Sequence, residues 1–306
     1  MTLPPPGTPA AEYPITPALV HDLLCEQHPD LADLPLEEAD SGWDNAMLRL
    51  GSDLAVRLPR RQLAVALIEH EQAWLPLLAA SLPLPIPAPL RIGHPNAAYP
   101  WPWSVVPWLE GLPADQQPIH PDQAALFGQF LAALHTPAPA NAPANPFRGV
   151  PLIERQSAMQ QRIERLHELT DLLTPSLLAV WDRALQLPID CAPTWLHGDL
   201  HPRNLLVQHG RISGVIDWGD LTAGDPATDL AGIWTLIAER QDRQVALAAY
   251  HALRPLTSTT LQRALAWAAL FGVMHLDAGV IDSPRHTAIG RATLKRVLAD
   301  LANAEP

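Results

Sequence analysis

The chain is expected to fold as an α+β protein, with a small β-rich N-terminal part and a larger, mainly helical C-terminal part. Three observations predict this. First, NAMLRLG and DLAVRLPR are short alternating runs on either side of Gly51-Ser52-Asp53, which reads as a strand hairpin. Second, in RQLAVALIEHEQAWLPLLAASL the residues Leu63, Leu67, Trp74, Leu75 and Leu78 recur at helical spacing, until Pro83, Pro85, Pro87 and Pro89 end the pattern. Third, YPWPWSVVPWLEG supplies one more strand that leaves sharply at Gly111, and beyond it helical patterns dominate. A length of 306 residues and 33.3 kDa admits either two unequal lobes or one large α/β domain.

Taken in order, residues 1–17 are rich in proline and small side chains and read as a poorly ordered arm. Residues 18–108 form the N-terminal lobe and residues 109–306 the C-terminal lobe. Within the latter, Gln123–His135 is amphipathic, Thr136–Pro146 is a Pro/Ala-rich loop, Leu152–Leu173 is helical, and a further helix starts at Ser176. Helices are also expected near Ala227–Glu239, Arg243–His251, Thr259–Leu276 and His286–Asn303. No internal repeat is visible.

Composition narrows the class of protein. Hydrophobic residues make up 48% and charged residues 17%, enough for a buried core. MTLPPPGTPA has neither a basic nor an apolar signal region, and the apolar run Ala264–Leu276 is too short to span a bilayer, so a cytoplasmic protein is expected. Cys25 and Cys191 show no paired spacing and are expected as free thiols. A net charge of −12 argues against a nucleic-acid partner and suits a cationic or polyhydroxylated acceptor. Lys295 is the only lysine, so a cationic phosphate contact in the N-terminal half has to be an arginine.

The chemistry concentrates in HGDLHPRN. Phosphoryl transfer needs a carboxylate facing the acceptor hydroxyl, oxygen ligands for magnesium, and cations on the triphosphate. Asp199 and Asn204 stand in the D-x-x-x-x-N spacing of a kinase catalytic loop. NLLVQ, HG and RISGVIDW read as strand, two-residue turn, strand. Pairing Gln208 with Arg211 sets Asn204 opposite Val215 and brings Asp217 onto the same face, where both suit magnesium. His197 is expected to orient the loop. His197, Asp199 and His201 also resemble a metal-ligand cluster, the rival reading of a metal-dependent hydrolase.

WLHGDLHPRNLLV followed by GVIDWGDLTAGDPATDLA resembles the aminoglycoside phosphotransferase and choline kinase-like superfamily. The resemblance runs from about Trp43 to the last helix. It implies a protein-kinase-like two-lobed fold with ATP or GTP and Mg2+, Asp199 as catalytic base, Asn204 and Asp217 as metal ligands, and Asp229 supporting the loop. It further implies an N-lobe cation on the α- and β-phosphates paired with a helix glutamate. Here those positions read Arg57 and Glu71, an arginine where the family has lysine, with Arg60 or Arg61 as the alternatives. The missing lysine also leaves open a binding protein of kinase fold without turnover. Ser41, in the short polar loop Ser41-Gly42-Trp43-Asp44-Asn45, is expected to face the phosphates, and the backbone of Val106 and Trp108 to face the nucleobase. The acceptor is expected to be small and hydroxylated, with aminoglycoside and macrolide antibiotics in its range. Glu239, Asp242, Asp277 and Asp282 are the candidate contacts for a cationic one.

Overall fold

A glutamate on the buried face of a helix needs a partner, and that requirement organises the N-terminal unit of the computed structural model. The structure describes residues 10–41, 44–281 and 283–303. The chain divides into two compact units, residues 1–81 with 85–110, and residues 82–84 with 111–306.

In the first unit, helix α1 (Pro17–Gln27) precedes strands β1 (Leu36–Ser41), β2 (Asn45–Leu50) and β3 (Leu54–Pro59), helix α2 (Val65–Ala79), and strands β4 (Arg91–Gly93) and β5 (Trp103–Pro107). The strands form one antiparallel sheet in the order β1-β2-β3-β5-β4. Alternation in β2 buries Ala46, Leu48 and Leu50. Leu48 and Leu50 meet Val56, Leu58, Trp103 and Val105 of the sheet and Val20, Leu23 and Leu24 of α1 in one core. On α2 the inward positions Ile68, Leu75 and Leu78 share their face with Glu71.

The described part of the expected N-terminal arm is packed. The Tyr13 ring meets Tyr99 and Trp101 edge-on, Glu12 N–H bonds the Arg60 carbonyl, and Thr16 caps α1, which starts at Pro17. Trp101 and Trp103 are buried core residues.

The second unit contains β6 (Leu112–Pro113), α3 (Ala124–Leu134), α4 (Gln156–Leu166), α5 (Pro175–Ala184), β7 (Thr194–Leu196), β8 (Leu205–Gln208), β9 (Arg211–Val215) and β10 (Thr222–Gly224). It ends with α6 (Ala227–Leu230), α7 (Gly232–Leu236), α8 (Arg240–Leu253), α9 (Ser258–Ile281) and α10 (Pro284–Ala302). The fold is therefore α+β with a larger helical C-terminal part. The helix expected over Leu152–Leu173 stops at Leu166, where the chain turns toward the Thr174 cap of α5. The one expected over Ala227–Glu239 breaks into α6 and α7.

The β8–β9 turn is built by His209 and Gly210, both at positive φ (51° and 79°), the conformation of a tight two-residue hairpin turn. Gln208 pairs with Arg211 as expected, but a bulge follows. Leu206 pairs with Gly214 and Leu205 with Val215, leaving Ser213 as the extra residue. The expected pairing of Asn204 with Val215 is thereby corrected by one residue: the Ile216 N–H bonds the Asn204 carbonyl at 2.9 Å, and Asp217 follows directly.

Candidate active site

Strand β7 pairs with β10, Leu196 opposite Thr222, and delivers the chain into His197-Gly198-Asp199. Two amides at this exit would lose their strand partners. The buried Asp229 carboxylate takes both, accepting from His197 N–H at 2.7 Å and Gly198 N–H at 2.8 Å. It lies in α6 and is backed by His135 at 3.5 Å, whose other nitrogen meets the Tyr250 hydroxyl at 3.0 Å. Gly198 has φ +88°, and a Cβ there would lie 2.6 Å from the Asp220 carbonyl oxygen, so only glycine fits this step.

The His197 ring locks the loop to the strand that carries Asp217. Its Nδ1 accepts from the Asp199 N–H at 3.2 Å, which puts the ring proton on Nε2, where it donates to the Ile216 carbonyl at 3.0 Å. Both nitrogens are thus engaged and neither is open to a metal. Among the described residues no group of three or more His, Cys, Asp and Glu is placed to hold a metal ion, so the geometry does not favour the hydrolase reading of His197, Asp199 and His201. Trp218 packs against the His197 ring at 4.6 Å and anchors its own indole on the Val215 carbonyl.

Asn204 closes a short 3-10 turn, Pro202–Asn204, that His201 caps through Nδ1. Its amide nitrogen donates to the Asp199 carbonyl at 3.0 Å, which turns the side-chain oxygen the other way. Asp217 is exposed and sits at φ +62°, a left-handed conformation uncommon for a residue with a side chain. The site therefore assembles Asp199, Asn204 and, through the Ile216 bond, the start of the Asp217 segment.

Arg148 completes the surroundings of Asp199, and nothing in the sequence pattern singled it out. It lies in an irregular segment 51 positions upstream, with no motif around it. Its Nη2 is 3.0 Å from Asp199 Oδ1 and 3.1 Å from Asp220 Oδ2, and its guanidinium stacks over Phe271. Asp220 also accepts from Asn145 at 2.7 Å. The only available signal was that a pair of nearby carboxylates in DWGD and HGDL calls for a cation.

These neighbours separate the two carboxyls. Burial pushes Asp199 up, but His201 and Arg148 outweigh it and hold the group well below the usual carboxylate range. Burial pushes Asp220 up, and the Asp199 charge adds to that against Arg148. His275 is pushed down to about 3 by burial and by His201, so it is neutral near pH 7.

In the first unit, Arg57 on β3 faces Glu71 on α2, Nη2 to Oε1 3.0 Å, with both side chains almost fully buried. With the Asn45 amide turned so that its oxygen faces the guanidinium, that oxygen accepts from Nη2 at 3.0 Å and Nε at 3.3 Å. Arg61 instead pairs with Asp44 at 2.6 Å. Ser41 ends β1, while Gly42 and Trp43 of its loop lie outside the described residues. Val106 is buried in β5 opposite Ala55. Trp108 donates its N–H to the Asp53 carbonyl at 2.7 Å, so the expected backbone contact to a nucleobase falls to its carbonyl.

The candidate acceptor carboxylates do not gather. Asp277 is held by Arg165 at 2.9 Å and by Arg162, Glu239 and Asp242 line a small cavity with Ile119, His120 and Ala124, and Asp282 lies outside the described residues. No helix among the described residues is long and apolar enough to cross a membrane.

Comparison with known proteins bears on the fold and the family. A Bacillus subtilis (strain 168) protein described as uncharacterised, YcbJ, is 28% identical over 213 residues. The match covers 62% of this chain and 65%, just under two thirds, of that relative. Aminoglycoside 2'-phosphotransferase-IIIa in its GDP complex superposes with a TM-score of 0.64 at 19% identity, covering 95% of this chain and 100% of that one. Macrolide 2'-phosphotransferase MphH from Brachybacterium faecium gives 0.58 at 22% identity over 90% and 97%. These likenesses establish a fold shared with aminoglycoside and macrolide phosphotransferases. The model of the phosphotransferase enzyme family (APH) matches residues 35–270, which include β1–β5, the Asp199 loop and Asp229, and the chain therefore belongs to that family.

Proposed function

We propose that this protein transfers the γ-phosphate of ATP or GTP to a hydroxyl of a small polyhydroxylated acceptor. The observation that carries the proposal is the single hydrogen-bonded frame in which Asp229 clamps the loop, Asp199 is paired with Arg148 and His201, and Asn204 is tied to the Ile216-Asp217 segment. The acceptor oxygen forms a bond to the γ-phosphorus as the bond to the β-phosphate oxygen breaks, the nucleoside diphosphate leaves, and the hydroxyl proton passes to Asp199. A carboxylate held below its usual range by neighbouring cations is a weakened base. It orients the hydroxyl first and takes the proton late, which suits a loose phosphoryl-transfer transition state.

The residues present fit magnesium. Asn204 directs a hard oxygen away from its own donated bond, and Asp217 adds a carboxylate. Bound there, magnesium would neutralise charge on the transferring phosphoryl group. Arg57, fixed by Glu71, fits the part of the phosphate-contacting cation, and this intact pair supports a catalytic protein over a non-catalytic binder. Neighbouring structures include complexes with GDP, with ATP and with kanamycin, so both nucleotides, aminoglycosides and macrolides belong in the first acceptor screen. A cytoplasmic setting would supply either nucleotide.

The test measures release of ADP and GDP over that screen, together with calorimetry of nucleotide binding with and without magnesium. Asp199→Ala is expected to lower turnover roughly 10²–10⁴-fold with nucleotide affinity nearly unchanged. Equal turnover by the variant would remove Asp199 as the base.

A further inference from the structure

We infer that the acceptor carries an anionic group, a carboxylate or a phosphate monoester, bound by Arg203, which His286 orients, beside the Asp199 loop. This rests on the phosphotransferase reading above and names the chemical class of its acceptor.

Arg203 lies between His201 and Asn204 and is exposed, and among the described residues it has no carboxylate partner. Its Nη1 lies 2.7 Å from Nε2 of His286, in the first turn of α10. A guanidinium only donates, so His286 accepts at Nε2 and orients the arginine, whose remaining N–H groups are left as donors. His275 links this pair to the reacting carboxylate. Its ring centroid is 5.6 Å from that of His286 and 4.8 Å from that of His201, whose Nε2 lies 3.3 Å from Asp199 Oδ2. A track of imidazoles therefore runs from the Asp199 carboxylate to a guanidinium that has no carboxylate partner among the described residues.

The acids around this track are already matched. Asp199 and Asp220 share Arg148, Asp115 accepts two bonds from Arg285 at 2.7 and 2.8 Å, and Asp277 is held by Arg162 and Arg165. A cationic acceptor would meet Arg203 directly, while Asp199, Asp220, Asp115 and Asp277 already have arginine partners. An acceptor with a carboxylate or phosphate would give Arg203 the charged partner it lacks among the described residues and can accept from two N–H groups of its planar fork. Net charge of the whole chain is a poor guide to this patch, because the local balance is set by which acids are already paired.

The experiment uses the full chain and one polyol skeleton in four charge states: D-gluconate, D-glucitol, 1-amino-1-deoxy-D-glucitol and D-glucitol 6-phosphate. Diphosphate release gives kcat and KM for each. Binding to the nucleotide-loaded protein is read independently from the ring carbon–proton signals of His275 and His286, identified with His286→Gln. One or both anionic members are expected to shift those signals at tens of millimolar and to exceed the neutral and ammonium members about tenfold in kcat/KM. The carboxylate and phosphate arms decide between a hydroxy acid and a sugar phosphate. Arg203→Gln is expected to raise KM for the anionic member about tenfold and leave glucitol within about twofold, while Arg203→Lys recovers part of the loss. Because Arg203 is exposed, these variants should fold. Preference for the ammonium or neutral member, an unchanged anion preference in Arg203→Gln, or no shift of the histidine signals by either anion overturns the assignment while leaving the phosphotransferase reading in place. Absence of nucleotide binding would instead remove that reading, and this one with it.

Discussion

Arg148 does two jobs that a single substitution can separate. It holds Asp199 and Asp220 through one nitrogen and covers Phe271 with its face. Arg148→Ala leaves two carboxylates facing each other without their cation, so kcat is expected to fall at least tenfold while nucleotide affinity changes little; Arg148→Lys keeps the charge and recovers part of kcat. An equal loss of nucleotide affinity would show that Arg148 acts on the phosphates instead. Asp190 offers a stability counterpart. Burial pushes its carboxyl up, but hydrogen bonds from Thr257, Arg263 and Thr260 outweigh this and bring it down to about 2. A folded value below the ordinary 3.8 contributes stability above about pH 4, and that contribution is lost as pH falls toward 2. The stability difference between wild type and Asp190→Asn, measured by urea titration, is therefore expected to be full at pH 6 and to shrink between about pH 4 and pH 3. These residue-level features mark where sequence reading stops. Asp199 and Asn204 were legible because they sit within one short motif, and Asp229 through the family resemblance of the segment that carries it, whereas Arg148, Arg203 and His286 acquire meaning only through contacts 51 and 83 positions apart.

At the scale of elements, helix α9 is joined to the segment before α6 by a buried ion pair. Arg263 gives Nε to Asp225 Oδ2 at 2.7 Å and Nη2 to Oδ1 at 3.1 Å, and reaches Asp190 at 2.9 Å. Removing one partner leaves a buried charge alone, so Arg263→Met is expected to cost about 3–5 kcal/mol in urea unfolding; pairing it with Asp225→Leu should recover part of that loss. If the double variant were no better than the single, hydrogen bonds to the loops and not the charge pair would hold α9. Elements also explain what sequence pattern missed. The register of β8 and β9 was countable from the His209-Gly210 turn, but a regular count cannot see the extra residue at Ser213, whose only cue was Gly214 inside a strand. Strand β1, LEEADS, lacks alternation, and β4 spans only Arg91–Gly93 among prolines, so the sheet that aligns them supplied what their own residues do not.

At the scale of the molecule, two compact units with separate cores make a single unfolding midpoint a poor description, and ligand linkage a better probe. The magnesium candidates Asn204 and Asp217 belong to the second unit, where the Ile216 N–H bonds the Asn204 carbonyl just beyond the β8–β9 hairpin. A ligand that binds only the folded state stabilises it by about 2.7 kcal/mol at a hundred times its Kd. For a unit of this size that corresponds to a rise of roughly 5–10 °C in its transition. Magnesium with ATP or GTP is therefore expected to raise the transition that includes the second unit, and a chelator should remove most of the increment at the same nucleotide concentration. Asp217→Asn should behave like the chelator, because it takes away a charged oxygen ligand without changing the size of the side chain. A full increment in the chelated sample would place the nucleotide's hold on arginine alone and remove Asn204 and Asp217 from metal binding, whereas an increment confined to the magnesium-loaded wild type ties the stability of the second unit to the atoms proposed to hold the transferring phosphate.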